Sequence, residues 1–203
     1  MNAARTALQP PPLPGQRRGV GVPMGAWLLA LLVLLAMGSR PSAAQGVELT
    51  TLNLVRSEAA LEIEFAARVK LPRTVEDAMQ RGVPVWFTAE AQLMRKRWYW
   101  RDDRVARVSR QWRIAYQPLT GTWRVALGGL NQTFASLPEA LLAASRSAGW
   151  KLADAGQIDP DSRYYVEFSY KLDTSQLPAP MSFGLGAGGA DWVLGVQREL
   201  RVE

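Results

Sequence analysis

The chain has 203 residues, with 24 Lys and Arg against 18 Asp and Glu, no Cys and no His. Without Cys there is no disulfide, thiol nucleophile or thiolate metal site; without His, the Ser-His-Asp and Cys-His mechanisms fall away, as does the commonest zinc, copper and haem ligand. A catalytic reading is left with a carboxylate pair, a Ser-Lys dyad or an all-oxygen metal site.

The first 44 residues read as an export signal. Arg5, Arg17 and Arg18 form a positive opening, Ala26 to Gly38 is a compact apolar run, and Ser42-Ala43-Ala44 supplies small residues for a signal peptidase. Cleavage near Ala44 makes Gln45 the new N-terminus and sends the protein to the periplasm or otherwise out of the cytoplasm. The competing reading is a retained anchor, but the run is shorter than the roughly 20 apolar residues that a spanning helix needs. Arg17-Arg18 precedes Gly19-Val20-Gly21, a poor context for a twin-arginine signal. The prolines from Pro10 to Pro14 belong to the same discarded segment.

The signal holds four Arg and no acid, so 20 basic and 18 acidic residues remain after it. The basic balance of the whole chain is therefore no footprint of nucleic-acid binding. Residues 45–203 fit a single β-rich domain.

Val47 to Arg56 reads as a strand turning at Ser57-Glu58 into a second strand. In that second strand Leu61, Ile63, Phe65, Ala67 and Val69 alternate with Glu62, Glu64, Arg68 and Lys70. Thr74 to Arg81 is predicted as a short helix, capped by Thr74 and ended by Gly82. A third strand starts near Val83, with Val85, Phe87, Ala89, Ala91 and Leu93 inward. Near Arg95 the phase changes, as at a bulge or where a strand runs past the edge of the core. Asp102-Asp103 makes a turn. Ala106, Val108, Trp112, Ile114 and Tyr116 then alternate with Arg107, Ser109, Gln111 and Arg113.

Pro118 to Gly121 has turn composition, and Trp123, Val125 and Leu127 form the inward side of another strand. A second helix is capped by Ser136, carries Pro138 early and is closed by Gly149. Asp159-Pro160-Asp161 leads into the cleanest alternation of the chain: Tyr164, Val166, Phe168, Tyr170 and Leu172. After Leu177-Pro178-Ala179-Pro180 comes a glycine-rich stretch through Gly189. Trp192, Leu194 and Val196 suggest a final strand. Seven or eight strands joined by short turns, each with one wet face, predict a mainly β fold. The expected architecture is an antiparallel β-sandwich or barrel-like fold with two short helices.

The segment from Arg95 to Arg124 holds nine basic residues against Asp102 and Asp103. Adjacent antiparallel strands would gather them on one face, able to meet an acidic protein surface, anionic lipid headgroups or an anionic polymer. The basic and aromatic residues Arg95, Arg97, Trp98, Trp100, Arg101, Arg107 and Arg113 are the candidate binding set. Arginines on wet strand faces also simply resist edge aggregation, and tryptophans commonly supply core area. Asp159, Asp161 and Asp173 lack the spacing of a calcium loop and fit Asx turns instead. Glu62 and Glu64 share a strand face about 7 Å apart. Paired acids on a wet face are usually just solvated. No Ser-Lys pairing stands out for Lys70, Lys96, Lys151 or Lys171. Asn131-Gln132-Thr133 matches a glycosylation sequon.

Five segments occur in an order that resembles the DUF4390 family of exported proteobacterial proteins of unknown function. They are Gly82 to Phe87, Arg97 to Asp102, Tyr116 to Thr120, Phe134 to Leu141 and Leu172 to Pro180. The last is the most specific, and the resemblance spans nearly all of residues 45–203. It implies no catalytic residues. It does imply a genetic neighbourhood containing a nitrogen-regulation-type sensor histidine kinase, and hence a candidate partner. The resulting expectation is an exported, non-enzymatic domain that binds another protein of the cell envelope, with no cofactor, metal or nucleic acid. A membrane surface is a further candidate. The alternatives are an envelope carbohydrate- or lipid-binding protein and, last, a carboxylate-based hydrolase.

Overall fold

A computed structural model describes residues 46–99, 101–177 and 189–202. The proposed signal, Trp100 and the stretch from Pro178 to Gly188 lie outside the described residues.

Period-two alternation sets the architecture. In Val85 to Leu93 every second side chain is apolar, and Val85, Phe87, Ala89, Ala91 and Leu93 are all fully buried. The same holds for Leu61, Ile63 and Phe65, and for Val166, Phe168 and Tyr170. Strands with one apolar face must cover it, and here two antiparallel sheets do so face to face. One sheet has three strands: β1 (Gly46–Arg56), β2 (Ala60–Lys70) and β7 (Arg146–Asp154), in the order β1-β2-β7. The other contains β3 (Val85–Arg95), β4 (Asp103–Gln117), β5 (Thr122–Leu127), β6 (Leu130–Phe134), β8 (Tyr164–Leu172) and β9 (Gly195–Arg201). Its order is β6-β5-β4-β3-β8-β9. The arrangement is a β-sandwich, not a closed barrel.

Phe65 on β2 is the hub between the sheets. Its ring centroid lies 5.0 Å from Phe168, 5.5 Å from Tyr170 and 5.9 Å from Trp112, all on the larger sheet. Two short helices close the open ends of the core: α1 (Arg73–Gln80) buries Val75, Ala78 and Met79, and α2 (Leu137–Ala144) buries Leu137, Ala140 and Ala144.

Several local expectations change. The cap of α1 is Pro72, which has no side chain to donate or accept; Thr74 instead donates its hydroxyl to Asp191 at 3.0 Å. Gly82, at φ +88°, does follow that helix. Ser136 caps α2 as expected, accepting from the Glu139 amide, but the helix ends at Ala144 rather than running to Gly149. Gly149, at φ +57°, sits inside β7, where the pairing with β2 shifts register between Ile63 and Phe65. That irregularity breaks the alternation by which β7 would have been recognised. β6 went unrecognised for a different reason: Leu130 to Thr133 are all exposed, so it has no buried face to imprint a pattern. The third strand begins at Val85 rather than Val83. The last strand starts three residues after Trp192. Trp192 and Leu194 are buried in the approach to β9, not in the strand. A Cβ at Gly195 would lie 2.9 Å from that of Lys171, so a side chain there would push β9 off β8.

Candidate functional site

The candidate residues fall into two places. Arg95, Arg97, Trp98 and Arg101 belong to the end of β3 and the turn that joins it to β4. Arg107 and Arg113 lie on the outer side of β4, away from the core. Trp100 is outside the described residues.

The turn is held by its two aspartates. Asp103 Oδ2 accepts from Arg95 Nη2 at 2.8 Å and from Arg97 Nη2 at 2.9 Å. Asp102 Oδ1 accepts from the Arg97 backbone amide at 3.1 Å, and its Oδ2 accepts from the Tyr165 hydroxyl at 2.9 Å. Lys96 adds two contacts with the neighbouring structure. Its amide donates to the Arg163 carbonyl at 2.8 Å, and its ammonium lies 5.2 Å from the Tyr165 ring centroid. The Arg95 guanidinium, with that of Arg97 next to it, holds the Asp103 carboxyl below the usual range. The Arg97 amide, followed by the Tyr165 hydroxyl, does the same for Asp102. The phase change expected near Arg95 has two sources: a register shift between Leu93 and Met94, and the end of β3 at Arg95.

On this frame stand Trp98, 92% exposed, and Tyr99, 66% exposed. Their rings meet edge to face at a centroid distance of 4.8 Å. Arg101 is exposed beside them. The turn therefore presents two aromatic rings and a cation in water, while Arg95 and Arg97 are committed to Asp103.

The strand-face arginines are arranged differently. Arg107 donates to Glu90 at 2.6 Å, and this hydrogen bond is the main reason the Glu90 carboxyl titrates below its usual range. Arg113 lies over the Trp86 ring at 5.7 Å. The uniform basic face anticipated from charge segregation is thus broken up by acids on β3, β8 and β9. Glu90, Gln92, Arg107, Glu167, Ser169 and Glu199 line a shallow trough of about 510 Å³ on the outer side of the larger sheet. Glu167 and Glu199 stand directly opposite each other in the β8–β9 register.

The other acids singled out have local uses. Asp159 accepts from the Asp161 amide and the Ser162 hydroxyl, and Asp173 from the Ser175 amide and hydroxyl and from Gln111. Among the described residues no three His, Cys, Asp or Glu side chains are grouped to hold a metal ion. Glu62 is half-buried and Glu64 exposed on the outer side of β2.

Sequence reasoning missed Tyr165 as a support for the turn. The signal was present: inward residues of β8 are even-numbered, so an odd-numbered tyrosine there points away from the core, where its hydroxyl needs a partner.

The fold and this surface define a class, the antiparallel β-sandwich displaying an aromatic and basic turn. The chain belongs to the DUF4390 family, whose model, a domain of unknown function, matches residues 44–200. No curated protein and no solved structure matches the chain significantly.

Proposed function

We propose that the protein is an exported, non-enzymatic interaction domain that docks on another protein of the cell envelope through the β3–β4 turn. The observation that carries this reading is the Trp98–Tyr99 pair, exposed at the end of a turn whose Arg97 amide is tied to Asp102 and whose Arg95 and Arg97 side chains are tied to Asp103. Trp, Tyr and Arg dominate the energetic centres of protein interfaces. A pre-formed turn loses less conformational entropy on docking than a loose one. The gene neighbourhood implied by the family resemblance supports a membrane sensor histidine kinase as the partner.

Chemical crosslinking in intact cells, followed by identification of the captured protein, tests the reading. It expects capture of the kinase, abolished by W98A/Y99A and with unchanged melting of the free protein. A second reading follows from the same composition, because Trp and Tyr flanked by Lys and Arg also suit a membrane interface. In that case anionic phospholipid vesicles would retain the wild type and not the double variant, and the crosslinked kinase band would be missing.

A further inference from the structure

The inward row of β4 runs Ala106, Val108, Arg110, Trp112, Ile114, so a guanidinium occupies a position where its row neighbours are apolar. Arg110 is half-buried at the opening between the two sheets. Its Nη1 donates to Ser147 Oγ on β7 at 2.5 Å, and its Cζ lies 5.2 Å from the Trp150 ring centroid. These contacts orient the guanidinium plane and leave most of its five N–H groups uncommitted to protein. Burial pushes its pKa down, and no acid opposes that shift.

A pocket of about 210 Å³ opens beside it. Trp112, Val125, Leu127 and Leu130 give it apolar walls, Arg146 adds a second cation, and no Asp or Glu lines it. Among the described residues neither Arg110 nor Arg146 takes part in an ion pair. Leu130, 73% exposed, leaves apolar surface uncovered at the rim. A partly desolvated charge without a counter-charge is destabilising, and an anion reaching it offsets that cost. Two guanidiniums favour a carboxylate, whose two oxygens match the guanidinium fork. The volume is below the roughly 300 Å³ at which pockets for whole small molecules begin, so it suits the end of a molecule.

We propose that this pocket binds a carboxylate carried on a short apolar group. The carboxylate lies on Arg110 and Arg146, and the apolar group rests against Trp112, Leu127 and Leu130. A free medium-chain fatty acid and the apolar C-terminal residue of a polypeptide share this chemistry. The site is separate from the β3–β4 turn and does not depend on it.

Calorimetry on the purified protein with octanoate, octanol, N-acetyl-Ala-Leu and the amide of that peptide tests the proposal. At least one carboxylate is expected to bind about ten-fold or more tightly than its uncharged counterpart, the size of one charge-assisted hydrogen bond. R146Q, at an exposed position, should weaken that binding by a similar factor with unchanged melting. R110K should also weaken it, because an ammonium cannot present the fork; if R110K does not fold, R146Q decides alone. A preference confined to octanoate over octanol assigns a fatty acid, and one confined to the peptide acid over its amide assigns a chain terminus. Equal affinity for charged and uncharged forms overturns the proposal. So does binding that survives R146Q unchanged, or no binding of either carboxylate.

Discussion

Tyr165 donates its hydroxyl hydrogen to Asp102 Oδ2 across 2.9 Å, joining β8 to the turn that carries Trp98. It is buried on the outer side of the larger sheet, and burial, with Asp102 as acceptor, pushes its pKa up to about 12. Removing that hydroxyl should loosen the turn without unfolding the sandwich. In Y165F the Arg97 amide, which donates to Asp102, should exchange its hydrogen faster, and Trp98 fluorescence anisotropy should fall. Unchanged exchange would mean that Asp102 holds the Arg97 amide without help from Tyr165.

The same bond sets a pH dependence at each end. A Tyr165 pKa raised in the folded state contributes stability that is fully present below the ordinary tyrosine value of about 10 and is lost as pH rises through about 12. Asp102 and Asp103 are lowered in the folded state. Their contribution is present above the ordinary aspartate value of about 3.9 and is lost as pH falls through the lower folded values. Spectrophotometric titration should show one late-ionising tyrosine near pH 12 that is missing in Y165F. Tyr170, wholly buried, should ionise only on unfolding. In acid, turn-specific hydrogen exchange should rise before the core melts.

Tyr170 bridges the larger sheet and α2 by donating to the Ala144 carbonyl at 3.0 Å, and both residues are fully buried. Y170F leaves that carbonyl without its donor, which should destabilise the domain by about 1–3 kcal/mol in chemical denaturation. F168A should cost about 3–5 kcal/mol, because Phe168 packs on Phe65 at the centre of the sandwich. A near-neutral F168A would contradict the observed register.

Processing can be read by mass. Intact-mass measurement of the protein from the periplasm is expected to give a chain starting at Gln45. A membrane-bound form that retains Trp27 would instead mean an uncleaved anchor.

Much of the fold was legible because burial writes a period of two. Residues 61–65, 85–93 and 164–172 each alternate cleanly, and each packs into the core as expected. What failed to show was structure that writes no such period. β6 is exposed from Leu130 to Thr133, and β7 is broken at Gly149. The site was half legible. Arginine and aromatic density marked the turn, but pairing across strands is invisible in a linear reading. Arg107 is opposed by Glu90, seventeen residues earlier in the chain, and Asp102 is reached by Tyr165, sixty-three residues later. Arg110 was legible in principle, since it occupies an inward position of a strand whose alternation was already recognised.

That pairing changes what charge reversal should do on β4. R107E would place a new carboxylate beside Glu90, in a trough that already holds Glu167 and Glu199 and would then keep only Lys171 and Arg198 as cations. Like charges on adjacent strands repel, so R107E should lower the melting temperature in a salt-dependent way. A solvated wet-face arginine would have been neutral to the same change. Arg113 lies ten residues along β4 from Asp103, about 30 Å at the strand rise, and is far from the turn. R113E should therefore leave kinase capture unchanged, whereas R101E, beside Trp98 and Tyr99, should reduce it. Loss of capture in R113E with normal folding would move the docking surface from the turn to the sheet face. Equal capture by wild type, R101E and R113E would remove charge from the interaction and leave the aromatic pair to account for it.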